Sequence, residues 1–265
     1  MMLSCQQVNA HLSGRPWLVL LHGLLGSSED WQTLLPHFGE FRCLLVDLPG
    51  HGRSASMTAA GFADVSQQLT ATLQQQGVDD YWLLGYSLGG RISLYHACYG
   101  DTRGLRGVLV EGANPGLKTL RDRQQRRHHD QLWITRFRFQ PIEQVLQLWY
   151  RQPVFSDLSD AQRQRLVDLR ANNQAPAIAT MLGATSLAVQ PDLRQPLSRL
   201  ALPVVWLCGA QDQKFTLLAQ QAGFPLRTIA NAGHNAHRAN PTEFARQALA
   251  FITSPVLKEV EHDLS

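Results

Sequence analysis

Short apolar runs bounded by Gly and Pro alternate along this chain with longer segments of helical period, and that alternation narrows the possible folds most. The runs are Trp17–His22, Arg42–Asp47, Tyr81–Tyr86, Leu105–Glu111, Pro203–Cys208 and Pro225–Ile229. They are nearly continuous in Val, Leu and Ile, the composition of strands buried on both faces of a parallel sheet. Between them, helices are predicted over Asp30–His37, Phe62–Gln76, Leu88–Tyr99, Phe215–Ala222 and Pro241–Phe251. Strand–helix alternation implies βαβ units with right-handed crossovers. The expectation is an α/β fold: a mostly parallel central sheet flanked by helices. At 265 residues, the chain is long enough for one such sheet with a full core.

One stretch breaks the rhythm. Between residues 115 and 200 no strand pattern appears; the segment is helical, rich in Arg and Gln, and carries Trp133 and Trp149. An interval this long between two core strands reads as a helical cap inserted over the carboxyl edge of the sheet, where open α/β sheets bind ligands. The division expected is therefore a core of residues 1–114 and 201–265 with a cap of residues 115–200. A packed helical layer without a ligand role is the alternative. The polar tail after Ser254 is expected to fray.

A net charge of +3 is too mild to mark a nucleic-acid protein, so the distribution of charge matters more than its sum. Cys5, Cys43, Cys98 and Cys208 are scattered, with neither disulfide framework nor zinc spacing. Cys43 and Cys208 fall inside apolar runs, where a reduced thiol acts as a small hydrophobe. The start MMLSCQQVNAHLSGRP is not a secretory signal, and no apolar run approaches the ~18 residues of a membrane span. A cytoplasmic enzyme without membrane, nucleic-acid or obligate protein partner is expected. G-x-G-x-x-G is absent and the histidines lack ligand spacing, so neither metal nor organic cofactor is expected.

Chemistry enters at Gly85-Tyr86-Ser87-Leu88-Gly89, a G-x-S-x-G that ends an apolar strand and opens a helix. That context makes it a nucleophile elbow with Ser87 as nucleophile. The serine sits on a strained turn, so its glycine neighbours must lack side chains for strand and helix to pass closely. The helix N-terminus beneath it favours negative charge. An acid should follow a late strand, and Asp212 does, just past Val204–Cys208. An N-cap for the next helix is the competing role. His234, in Ala232-Gly233-His234-Asn235, completes the order Ser, Asp, His. His22 and His51 sit in Gly-rich turns and read as loop architecture, and His237 lacks the preceding Ala-Gly. His234 would take the serine proton while Asp212 holds its tautomer.

The segments HGLLGSSEDW, VDLPGHGRSA, GYSLGGR and AGHNAHRANP together resemble the α/β-hydrolase superfamily. That resemblance implies an oxyanion hole made of the backbone amides of Leu24, in the H-G loop after the first strong strand, and of Leu88. YWLLGYSLGGR, EGANPGL, LWYRQPVF, LRANN and TSLAVQPDL resemble a narrower family, the 2-succinyl-6-hydroxy-2,4-cyclohexadiene-1-carboxylate synthases of menaquinone biosynthesis. This likeness spans about Trp17 to Pro241, and its cap phrases are the specific part. Many of these relatives carry an aromatic residue where this chain has Leu24; the backbone amide does the work there, so only pocket shape is affected.

The resemblance implies a lyase. Pyruvate would be eliminated from 2-succinyl-5-enolpyruvyl-6-hydroxy-3-cyclohexene-1-carboxylate, with Ser87 as the base and the dienolate oxygen in the hole. The substrate is a small tricarboxylate, so the cleft should be cationic. Arg91, Arg126 and Arg170 match the family's carboxylate-holding arginines, and guanidinium grips a carboxylate bidentately. Tyr86 and Trp149 match pocket-lining positions, although core packing suits each equally. The other cap cations (Lys118, Arg121, Arg123, Arg127, Arg136 and Arg138) read mainly as a solvated face. A carboxylesterase, thioesterase or carbon–carbon bond hydrolase acting through an acyl-Ser87 stays open, because its triad would be identical. An esterase for neutral esters, however, calls for an apolar cap.

Overall fold

Successive residues of the apolar runs point to opposite sides, so each strand feeds two cores at once. In the computed structural model, which describes residues 2–254, the order is β1 (Cys5–Val8), β2 (Trp17–Leu21), β3 (Arg42–Val46), α1 (Phe62–Gln75), β4 (Tyr81–Tyr86), α2 (Leu88–Tyr99) and β5 (Leu105–Glu111). There follow α3 (Leu120–Phe139), α4 (Ile142–Trp149), α5 (Asp160–Arg170), α6 (Ala175–Ala184) and α7 (Arg194–Leu197). The chain then returns through β6 (Val204–Gly209), α8 (Gln213–Gln221), β7 (Leu226–Ile229), α9 (Ala236–Ala239) and α10 (Pro241–Ile252). The polar tail expected to fray lies outside the described residues.

The seven strands lie in the order β1-β3-β2-β4-β5-β6-β7. All neighbours are parallel except β1, which pairs antiparallel with β3. One set of alternating residues, including Val19, Leu21, Leu44, Val46, Leu83, Val108 and Trp206, packs with Val65, Leu69 and Ile92 of α1 and α2. The other set, Leu18, Leu20, Leu45, Leu84, Leu109 and Leu207, packs with Trp31, Phe38, Phe244 and Ala248. Burial on both faces explains why these strands read as unbroken apolar runs.

Two elements depart from the sequence reading. The helix predicted over Asp30–His37 is instead a pair of 3-10 turns, Ser28–Trp31 and Leu35–Phe38. Pro36 sits in the second and lacks the N–H an α-helix through this segment would need. β1 does not stand out as an apolar run: it is a four-residue edge strand, half-buried at most positions, so it carries little hydrophobic signal.

Helices α3–α7 fill the chain between β5 and β6 and build an apolar cluster of their own. Trp133, Ile134, Phe137, Val145, Leu146, Phe155, Leu166, Val167, Ile178 and Leu182 pack together there, with Leu25 from the loop after β2. Caps hold the helix starts: Thr119 Oγ1 accepts from the Asp122 amide at 3.0 Å, and Ser159 forms a capping box with Gln162. Loss of such a cap costs about 1 kcal/mol. Lys118, Arg121, Arg127 and Arg138 are exposed along α3 and the turn before it, a solvated face.

Candidate active site

Ser87, the loop after β2, Gly112, Asp212 and His234 all follow the carboxyl ends of strands, so the topology alone gathers them at one edge of the sheet. Ser87 joins β4 to α2 with φ 50° and ψ −105°, a left-handed conformation that is strained for a residue with a side chain. The strain is held by neighbours. The Ser87 amide donates to the Glu111 carbonyl at 2.7 Å, and the Ser87 carbonyl accepts from the Arg91 amide at 3.0 Å. A side chain at Gly89 would collide with the Leu21 carbonyl, so glycine there lets α2 start tightly against β2.

His234 Nδ1 lies 2.8 Å from Asp212 Oδ2, and both side chains are buried. Asp212 Oδ1 also accepts from the Phe215 amide at 3.3 Å, capping α8. The two roles open to this aspartate are therefore compatible: one oxygen caps, the other receives the imidazole N–H. With Nδ1 donating, Nε2 is left as the basic nitrogen. The imidazole is clamped between rings, with Phe215 stacked at 4.8 Å and Tyr86 at 5.4 Å. Gly112, at φ 57°, faces it so closely that a Cβ there would lie 2.5 Å from His234 Cε1.

Among the described residues the Ser87 hydroxyl makes no hydrogen bond, to His234 or to any other group. Catalytic contacts of this kind are commonly long or misaligned before substrate binds and tighten with it. The amides of Leu24 and Leu88 are likewise free of acceptors among the described residues. Leu88 is the first residue of α2, whose leading N–H groups have no partner within the helix. Both are thus available to an incoming oxyanion.

Two of the neighbouring histidines are fully occupied. His22 Nε2 accepts from the Leu48 amide at 3.0 Å while Nδ1 donates to the Gly23 carbonyl at 2.7 Å. His51 Nε2 accepts from the Leu25 amide at 3.0 Å and Nδ1 donates to the Pro49 carbonyl at 2.9 Å. Burial pushes His22 down, and burial with His22 beside it pushes His51 to about 3. Both are neutral struts that shape the loop bearing Leu24.

The three arginines are placed differently. Arg91 donates to the Thr185 carbonyl at 2.8 Å and to Gln190 Oε1 at 3.2 Å, with no carboxylate partner among the described residues. Burial, then the repulsion of Arg126, pushes it down to about 9: a cation short of an anion. Arg126 gives Nε to Asp130 at 2.7 Å, its side chain about one-third exposed. Arg170 is buried and pairs with Asp30 at 2.5 Å. Asp30 also accepts from Arg238 at 3.1 Å, and the Tyr150 side chain lies close to Arg170. The Arg170 Nε is buried without an acceptor among the described residues. Tyr86 packs under the site against both His234 and His237, whereas Trp149 packs on Trp133 at 4.9 Å within the helical cluster. No group of His, Cys, Asp and Glu among the described residues could hold a metal ion.

Sequence reasoning misses Gly112, Phe215 and Phe155, which surround the imidazole. Gly112 alone leaves a trace, as the glycine directly after β5.

The alpha/beta hydrolase fold family matches residues 16–241. A 2-succinyl-6-hydroxy-2,4-cyclohexadiene-1-carboxylate synthase of Yersinia pseudotuberculosis is 54% identical over 257 residues, covering 95% of this chain and 94% of that protein. The solved structure of MenH from S. aureus superposes with a TM-score of 0.87 at 25% identity, covering 95% of this chain and 98% of that one. An enol-lactonase from Burkholderia xenovorans LB400 shares the fold, with a TM-score of 0.77 at 17% identity over 95% of this chain and 96% of its own. The fold alone thus accommodates more than one chemistry.

Proposed function

Because the chain belongs to the α/β-hydrolase family and, within it, to the 2-succinyl-6-hydroxy-2,4-cyclohexadiene-1-carboxylate synthases, we propose that Ser87, His234 and Asp212 act as its proton-transfer relay. The enzyme is a lyase of menaquinone biosynthesis. It eliminates pyruvate from 2-succinyl-5-enolpyruvyl-6-hydroxy-3-cyclohexene-1-carboxylate to give the cyclohexadiene product. His234 Nε2 takes the Ser87 proton, and Ser87 Oγ takes the proton from the ring carbon beside the succinyl ketone. The electron pair delocalises onto the ketone oxygen, which the Leu24 and Leu88 amides receive. The dienolate then collapses, the ring carbon–oxygen bond breaks, and enolpyruvate leaves to become pyruvate, with the imidazolium returning the proton. No bond to Ser87 forms.

The observation that carries this reading is the buried Asp212–His234 pair beside the strained serine turn. Two cations with spare donors, Arg91 and Arg126, fit carboxylates of the substrate, and the orphaned Nε of Arg170 fits a third contact. Residues 115–200 then serve as the cap that carries Arg126 and Arg170 to the carboxyl edge. Tyr86 would support the reacting ring from below; Trp149 would set the cap's inner wall. No helix among the described residues is long and apolar enough to cross a membrane, which suits a cytoplasmic enzyme working on a small soluble tricarboxylate. Mixing the protein with that substrate and following pyruvate, beside a panel of p-nitrophenyl esters, tests the assignment. Rapid ester turnover with a covalent Ser87 adduct and no pyruvate would replace it with the acyl-enzyme reading.

A further inference from the structure

The mechanism leaves one buried acid–base pair unused. Glu111, the last residue of β5, and His237, in α9, are each 1% exposed at the side chain and lie 2.6 Å apart, Oε2 to Nδ1. The other carboxylate oxygen, Oε1, accepts from the His237 backbone amide at 3.1 Å. His237 Nε2 is buried and has no partner among the described residues. Burying a carboxylate this completely is costly unless it is paired and hydrogen-bonded, and here both oxygens are used on one residue of the histidine loop.

Glu111 also holds the other half of the site. Its carbonyl accepts the Ser87 amide at 2.7 Å, and the next residue, Gly112, faces the His234 ring. Its partner His237 lies three residues beyond His234. The Tyr86 ring sits between the two imidazoles, 5.4 Å from His234 and 4.9 Å from His237. A single strand end therefore holds the serine turn through its backbone and the histidine loop through its side chain.

We infer that Glu111 is a positioning residue that, through His237, sets the approach of His234 to Ser87. The inference rests on reading Ser87 and His234 as the catalytic pair. It explains why a polar pair stands where an apolar pair would serve packing alone: two hydrogen bonds to one residue fix the direction of the loop, which apolar contacts do not. Because the Ser87 hydroxyl is unbonded among the described residues, closing that gap correctly depends on where the loop is anchored.

Steady-state kinetics of pyruvate release by Glu111→Gln test it, with Ser87→Ala as the control. Glutamine keeps an oxygen for the His237 amide but offers an N–H to Nδ1, so the imidazole must carry its proton on the buried Nε2, which has no acceptor among the described residues, and the loop loosens. The expected result is a kcat about 10- to 100-fold below wild type with KM within about twofold, since a misplaced reacting group costs that much. A purely structural role would lower the melting temperature but leave kcat of the folded protein unchanged, and that result overturns the inference. If Glu111→Gln does not fold, Glu111→Leu combined with His237→Phe removes both side chains and leaves only the backbone amide of residue 237 without its acceptor. The same kcat loss is expected there, and a wild-type kcat in that double variant overturns the inference equally. Full activity in Ser87→Ala would instead bring down the catalytic-pair reading, and this inference with it.

Discussion

The carboxyl edge of the sheet and the helices α3–α7 that meet it hold their polar groups by different means. At the edge, backbone does the placing: a strained turn presents Ser87, glycines admit close approach, and neutral histidines brace the loop of Leu24. In the helices, charge does it: Arg126 hangs on Asp130, and Arg170 crosses to Asp30 in the core. Backbone-held groups cannot move far without unfolding their strands, whereas an ion pair can trade one carboxylate for another. Proton transfer needs the first property; capture of a charged substrate needs the second.

The sharpest way to break this division is to remove a group at the edge. Ser87→Ala and Asp212→Asn should each lower kcat/KM for pyruvate release by about 1,000-fold or more, since the relay acts as a unit. Melting temperatures should change little in comparison. Retained turnover in either variant would move the chemistry elsewhere.

Arg170→Ala should act on stability as well as on activity. It leaves Asp30 buried with only the longer contact to Arg238, and breaking a buried pair costs about 3 kcal/mol. Chemical denaturation reads this directly, and Asp30→Asn in the same background should recover much of the loss. An unchanged midpoint in Arg170→Ala would show that the crossing pair is not structural.

Arg91→Ala and Arg126→Ala should do the reverse. Each should raise KM or lower kcat/KM for the tricarboxylate by about 10-fold, the scale of one charge-assisted hydrogen bond. Weak hydrolysis of a small neutral ester should stay near wild type, and the fall in melting temperature should be smaller than in Arg170→Ala, because Asp130 keeps Ser186 and His129 as partners. Arg→Lys should recover little, because an ammonium cannot reproduce the fork. Equal losses on both substrates would mean that these arginines support the fold rather than grip carboxylates.

The effect that least separates the two regions is the one with pH. Burial holds His51 near 3 and His96 near 4 in the folded protein, against about 6.5 for an unfolded histidine. Below that value the unfolded chain binds protons that the folded one refuses, so stability is full above about pH 6.5 and falls toward pH 3. The urea midpoint should decline steadily from pH 7 to pH 4, and His96→Gln should flatten part of that slope. A midpoint constant across the range would contradict neutral, buried imidazoles.

Much of the edge is legible in the sequence. G-x-S-x-G, the Asp after β6 and the Ala-Gly-His after β7 are local patterns, each next to the strand that positions it, and strand burial writes itself as an apolar run. The 3-10 turns around Pro36 read as a helix because hydrophobic spacing over eight residues does not separate the two. β1 escapes notice because a short edge strand need not be apolar.

Residue order along the chain thus determined the strands, the turn that strains Ser87, and the Ser, Asp, His sequence, since each is written in a local pattern of apolar runs and turn residues. Tertiary structure alone decided which titratable groups meet from distant parts of the chain. Arg170 finds Asp30 across 140 residues and His237 finds Glu111 across 126, and no periodicity or turn preference encodes such pairs. A buried charge takes whatever partner the packing of distant elements brings within about 3 Å, so its role is settled only once the chain has closed around it.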